Sequence, residues 1–129
     1  MKFLLIGLGG GLGAVARYGL SLAVQSKAWG AFTTGTLIVN VVGCLAIGFL
    51  APLLAEVWAE REELRLAVLV GLLGGFTTFS SYAFEALRLW QEGDRMSAFL
   101  VVSLSNVLGL LAVALGYFAW HRFVTSSVA

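Results

Sequence analysis

The chain has 129 residues, of which 60% are hydrophobic and only 12% charged, and its formal net charge is +1. A soluble domain is nearer half apolar and a quarter charged. The composition therefore excludes an ordinary soluble domain and gives no support for a nucleic-acid partner. It points instead to an all-α integral membrane protein.

Four apolar stretches reach the roughly 20 residues needed to cross a bilayer. They cover about 3–24, 32–55, 64–87 and 97–120 and form a single four-helix transmembrane domain, residues 1–129. In the first stretch, Met1-Lys2 and the later Ala14-Val15-Ala16 imitate a secretory signal with its cleavage site. Five glycines between Gly7 and Gly13 make it a poor signal core but a good packing face, so it is expected to stay as a membrane helix. Gly9 and Gly13 stand at GxxxG spacing, with Gly7, Gly11 and Ala14 along a neighbouring line.

The second stretch places Thr36, Asn40 and Gly43 on one helical face and carries Pro52 near its end. Cys44, the only cysteine, reads as a small packing residue. The third stretch contains Gly74-Gly75-Phe76-Thr77-Thr78-Phe79-Ser80-Ser81-Tyr82. Each glycine weakens a helix by about 1 kcal/mol relative to alanine, and the hydroxyls that follow compete for the backbone. The third helix is thus expected to break mid-membrane, where opened backbone survives only if it is buried in protein or lines a wet cavity. In the fourth stretch Ser105, Gly109, Ala112 and Gly116 form one small-residue stripe.

The connections, about 25–31, 56–63 and 88–96, hold every acid except Glu85. Their shortness makes consecutive spans antiparallel. With Arg17 set aside as intramembrane, one side of the membrane receives Lys2, Arg61, Arg65 and Arg122, and the other Lys27, Arg88 and Arg95. So flat a distribution gives almost no positive-inside preference, and insertion in both orientations becomes possible.

Polar groups at membrane depth are the candidate functional positions. Arg17 has two readings: a side chain snorkelling to the interface, or a cationic vestibule that gathers anions. Asn40 either glues helices together or contacts a pore. Asn106 and Ser103 read as glue. Glu56 and Glu85 lie near expected span ends, which argues against proton-coupled antiport through a buried carboxylate and against an acid-lined cation conduit. Hydroxyls, amides and a guanidinium remain, and these suit a small anion. Opened main-chain carbonyls around Gly74 to Thr78 suit a hard cation such as Na⁺. No nucleophile–base pair for an enzyme is apparent.

Three segments together resemble the Fluc/CrcB fluoride channels: Gly10-Gly11-Leu12-Gly13-Ala14-Val15-Ala16-Arg17-Tyr18, Gly35-Thr36-Leu37-Ile38-Val39-Asn40-Val41-Val42-Gly43, and Gly71-Leu72-Leu73-Gly74-Gly75-Phe76-Thr77-Thr78-Phe79-Ser80-Ser81-Tyr82. Their order and spacing agree along essentially the whole chain. The resemblance implies a multi-pass protein of the prokaryotic cell (inner) membrane that exports fluoride passively. It implies an antiparallel, dual-topology homodimer, with pairing to a related protomer as the alternative, and membrane lipid around it. It further implies a structural Na⁺ on the dimer axis, held by the main-chain carbonyls of Gly74 and Thr77 from both protomers. Asn40, Phe79, Ser80, Ser81 and Tyr82 would line the pore, and Arg17 would stand near the vestibule. Tyr82 departs from the family's usual phenylalanine. Its ring edge still faces an anion favourably, but its hydroxyl adds a donor and bulk, so conduction is expected to persist at an altered rate. The rival readings are a small multidrug-resistance-type transporter, which needs an acid that this first span lacks, and a non-conducting membrane subunit.

Overall fold

The computed structural model describes residues 1–25 and 34–128, and every regular element among them is helical. Four helical stretches are long and apolar enough to cross a membrane: Lys2–Val24, Gly35–Val57, Glu62–Gln91 and Arg95–Val124. The expected start of the second span at residue 32, and Lys27 in the first connection, lie outside the described residues.

Helix α1 covers Lys2–Gln25 and α2 covers Thr34–Val57. Pro52 does not end α2, which runs on to Val57. Proline removes the bond to the carbonyl four residues back, here Gly48. That turn is held from outside, because a Cβ on Gly48 would overlap the Val113 carbonyl oxygen of the last helix.

The third span is built in pieces. A short α3, Glu62–Leu66, passes into a π-helical segment, Ala67–Leu73, and then into α4, Gly74–Phe76. Thr77 (φ −81°, ψ 156°) and Thr78 (φ −147°, ψ 117°) are both extended, and α5 restarts at Phe79 and runs to Gln91. The π segment was not expected from sequence, since Ala67–Leu73 holds no residue that forbids α geometry. Its setting is a backbone-on-backbone contact with α1. A Cβ on Gly9 would overlap the Ala67 carbonyl, one on Gly13 the Leu72 carbonyl, and one on Gly75 the Gly10 carbonyl; at Gly71 it would come within 2.6 Å of Ile6 O. The Gly9/Gly13 pair is therefore an intraprotomer packing face, and the altered helical register coincides with it. Gly7 and Gly11, on the neighbouring line, meet nothing within 4 Å.

The last helix, α6, covers Arg95–Val128. Its 34 residues span about 51 Å at 1.5 Å per residue, well beyond a hydrocarbon core of about 30 Å. Nothing after Gly116 breaks a helix, so α6 continues past the expected end of the span. The connection from α5 is also shorter than expected, because two caps meet in it. Gly93 adopts φ +86°, and the Asp94 and Gly93 N–H groups bond Leu89 O (3.0 Å) and Trp90 O (3.1 Å), closing α5 with a Schellman turn. Asp94 Oδ1 then accepts from Ser97 N at 3.0 Å and caps α6.

The small stripe of α6 packs within the protomer too. Gly109, Ala112 and Gly116 are buried, and a Cβ on Gly116 would overlap Leu45 O of α2. Phe49 and Trp120 meet edge to face at 5.9 Å farther along. Leu89, Ala98 and Val101 form a small core between α5 and α6, with Tyr82 and Ala86 packed on it. The third span therefore changes partners: its first half lies on α1 and its second half on α6. The change falls at Thr77–Thr78.

Candidate functional site

The two extended residues leave backbone groups that a continuous helix would have paired. Thr77 N–H still reaches Leu73 O at 3.0 Å, and its own Oγ1 donates to the same carbonyl at 3.0 Å. Thr78 N–H, which would have gone to Gly74 O, donates instead to Asn40 Oδ1 at 2.8 Å. Asn40 Nδ2 returns the bond to Thr78 O at 2.9 Å. The Asn40 oxygen thus replaces the ladder bond lost at Thr78 N–H, and its nitrogen adds a donor to the carbonyl from which α5 starts. Next, Ser81 N–H, which would have gone to Thr77 O, donates to Thr78 Oγ1 at 3.2 Å. Thr78 is thereby the N-cap of α5. Its hydroxyl also donates to Ser81 Oγ at 3.0 Å and lies 3.4 Å from Ser80 Oγ.

One face of α2 supplies the support. Thr36 Oγ1 donates to Glu85 Oε1 at 2.8 Å, Asn40 holds Thr78, and Gly43 leaves room for the side chains of Thr77 and Phe76. Glu85 stands farther inside its helix than the sequence reading places it, because α5 runs on to Gln91. A hydroxyl donor from a second helix satisfies one of its oxygens.

Arg17, on α1, donates through Nε to Gly75 O at 3.3 Å. Gly75 is one of the carbonyls stranded by the break, since its α-helical partner would be the N–H of Phe79. The guanidinium therefore caps the C-terminal end of α4, where carbonyl dipoles favour a cation.

An open cavity of about 350 Å³ lies against the break. It gathers Asn40, Gly74, Thr77, Phe79 and Tyr82, together with Thr78, Cys44, Ser105 and Asn106. Arg17, Ser80 and Ser81 are not in its wall. Phe79 is 77% exposed and meets Tyr82 edge to face at 5.2 Å. The Tyr82 hydroxyl accepts from Asn106 Nδ2 at 3.1 Å, across the α5–α6 seam. From sequence Asn106 reads only as glue, and its contact to a residue 24 positions earlier has no local signal.

The chemistry on offer is of two kinds. Gly74 O and Thr77 O have lost their helical donors and are neutral, hard oxygens of the sort Na⁺ accepts. No group of three or more histidine, cysteine, aspartate or glutamate side chains that could hold a metal occurs among the described residues. The cavity wall is otherwise largely apolar, with amide, hydroxyl and phenol groups beside aromatic edges and no acidic side chain.

Comparison with known proteins identifies the family. The family described as CrcB-like protein, Camphor Resistance (CrcB), matches residues 4–117. A protein of Solibacter usitatus named fluoride-specific ion channel FluC is 47% identical over 119 residues, covering 92% of each chain. Proteins of the same name from Nitratidesulfovibrio vulgaris and Hydrogenobaculum sp. are 44% and 42% identical, covering 89% and 92% of this chain and 93% and 96% of their own. With four membrane-crossing helices and a match along nearly its whole length, the chain belongs to the CrcB family of multi-pass membrane proteins.

Proposed function

We propose that this protein is a fluoride-selective ion channel of the cell membrane, working passively and lowering cytoplasmic fluoride by letting it run outward down its gradient. The observation that carries the reading is the Asn40–Thr78 clamp beside a largely apolar cavity whose polar groups include amides and hydroxyls, with no acidic side chain. Fluoride is small and tightly hydrated, so a pore must replace its water with donors at close quarters and still release it. The Tyr82 and Ser105 hydroxyls and the second Asn40 amide proton, with the aromatic edges, are the donors left for this, the other side-chain amide and hydroxyl protons in the wall being bonded within the protein.

The functional unit is an antiparallel homodimer in which the break lies mid-membrane. The near-even distribution of cations between the two sides supports insertion in both orientations. Gly74 and Thr77 carbonyls from each protomer would hold a structural Na⁺, which would supply fixed positive charge at the interface and no transport coupling. In this arrangement Asn40 holds the opened backbone in place, and Arg17 neutralises the carbonyl end of α4 while keeping a positive charge near the approach to the cavity.

The test is efflux from vesicles containing the purified protein, with fluoride and chloride compared under identical gradients. Rapid fluoride loss with little chloride loss is expected. Equal flux of both anions, or none of either, would overturn the proposal. The backbone-directed geometry of Asn40 favours one rival, a non-conducting subunit whose polar groups only glue helices. An intact dimer without fluoride flux would establish that rival.

A further inference from the structure

Asn106 Nδ2 has two protons, and both are committed. One goes to Val102 O at 2.7 Å, one turn back along α6, and the other to the Tyr82 hydroxyl at 3.1 Å. The helical bond fixes the amide's orientation, so it is the nitrogen, not the carbonyl oxygen, that meets Tyr82. The phenol oxygen is therefore an acceptor toward Asn106, and its own proton must point elsewhere. A phenol proton lies near the ring plane, which leaves it essentially the one other in-plane direction. The ring has little freedom to spoil this, because it packs on the Leu89, Ala98 and Val101 core and meets Phe79 edge to face at 5.2 Å. Tyr82 and Asn106 both line the cavity that also holds Asn40 and Thr78.

We propose that the Tyr82 hydroxyl is an anion-coordinating donor in the conduction path, and that Asn106 is the positioning residue that turns its proton toward the anion. The inference rests on the fluoride-channel reading and deepens it by assigning a selectivity element to this chain's own departure from phenylalanine. Accepting a bond from Asn106 also polarises the phenol and strengthens its donation. A hydrogen bond to a charged partner is stronger than one between neutral groups, and fluoride, as the smallest halide, profits most from a short O–H contact. The pair should then raise fluoride flux relative to chloride flux, beyond what two aromatic edges provide.

The experiment is a double-mutant cycle in vesicles, comparing the unmutated protein with Tyr82→Phe, Asn106→Leu and the double variant, each first eluting as the same oligomer. Loss of one charge-assisted hydrogen bond corresponds to about a tenfold fall in the fluoride-to-chloride flux ratio. That fall is expected in both single variants, with no further fall in the double variant, because Asn106 has nothing to orient once the hydroxyl is gone. A purely structural Asn106 would lower the ratio by the same factor with or without the Tyr82→Phe change, and losses that multiply in this way would overturn the proposal. So would a Tyr82→Phe protein that matches or exceeds the unmutated ratio. Absence of fluoride flux from the unmutated protein would instead defeat the channel reading itself.

Discussion

Asn40 holds the backbone of Thr78 from both sides, accepting from its N–H at 2.8 Å and donating to its carbonyl at 2.9 Å. A side chain on α2 thus makes the pair of bonds that an adjacent strand would make, at the one place where the third span has no helix. Asn40 shares the polar cost of the opening with the Thr78 hydroxyl, which takes Ser81 N–H, and with Arg17, which reaches Gly75 O.

Replacing Asn40 by alanine should therefore unpair the Thr78 N–H, while Thr78 O, the N-cap carbonyl, keeps its bond within α5. An unsatisfied group costs about 1–3 kcal/mol, and for this part-buried site the lower half of the range gives about 1–2 kcal/mol. Thermal unfolding in detergent should show the loss, and fluoride efflux should fall at least tenfold while the dimer persists on size exclusion. Loss of the dimer itself would support the glue reading of Asn40.

Arg17 discriminates between charge and geometry. Arg17→Lys keeps the positive charge but loses the planar Nε–H that meets Gly75 O at 3.3 Å. If the capping contact matters, lysine should behave like glutamine, with fluoride flux reduced in both. Full flux in Arg17→Lys together with loss in Arg17→Gln would mean that only the vestibule charge is used.

The glycines packed between α1 and the third span differ from those on the open line of α1, and the two classes carry opposite expectations. Gly13→Ala and Gly75→Ala each drive a methyl group into main-chain atoms that have no rotamer to yield, so the upper part of the usual overpacking cost of about 1–3 kcal/mol applies, or more. Gly11→Ala meets nothing within 4 Å of the protomer and should leave its thermal stability nearly unchanged. A Gly11→Ala protein that keeps its fold but elutes as a monomer would place that open line at the dimer contact.

Sodium should be required without being transported. Replacing Na⁺ by a large organic cation on both sides should abolish fluoride flux, and restoring it should recover flux. An imposed Na⁺ gradient that drove fluoride uphill would contradict a structural role.

The Asp94 cap carries the clearest acid dependence. Hydrogen bonds from Ser97, through its side chain and then its backbone N–H, hold the Asp94 carboxyl below the usual carboxylate value. A depressed value stabilises the fold fully above the ordinary carboxylate pKa of about 3.9 and loses that contribution as pH falls through the lower folded value. Asp94 should contribute a constant stabilisation, with no pH dependence, between about pH 5 and 8. Asp94→Ala should lower stability at neutral pH and make the acid limb of the curve shallower.

The sequence and the structure meet unevenly. Four spans follow from hydropathy alone, because lipid leaves few other ways to arrange so apolar a chain. The Thr36, Asn40 and Gly43 face was legible from helical spacing, and all three turn toward the third span. The extended residues fall just after paired glycines, where helix propensity is lowest and hydroxyls compete for the backbone. The π segment at Ala67–Leu73 was not legible, because no residue in it forbids α geometry; it lies where the glycines of α1 pack. The Asn106–Tyr82 bond and the Arg17–Gly75 bond were hidden because each joins groups on different helices. Glu85 was misplaced only because the end of α5 was set too early.

The change of partners at Thr77–Thr78 has a consequence for motion. Half of one span packs on α1 and the other half on α6, so two extended residues join the two packing units. One amide proton spans that joint toward α2, and it is held by a side chain. Deuterium uptake at Thr78 would therefore register each opening of the Asn40 clamp, even while the neighbouring helices keep their protection.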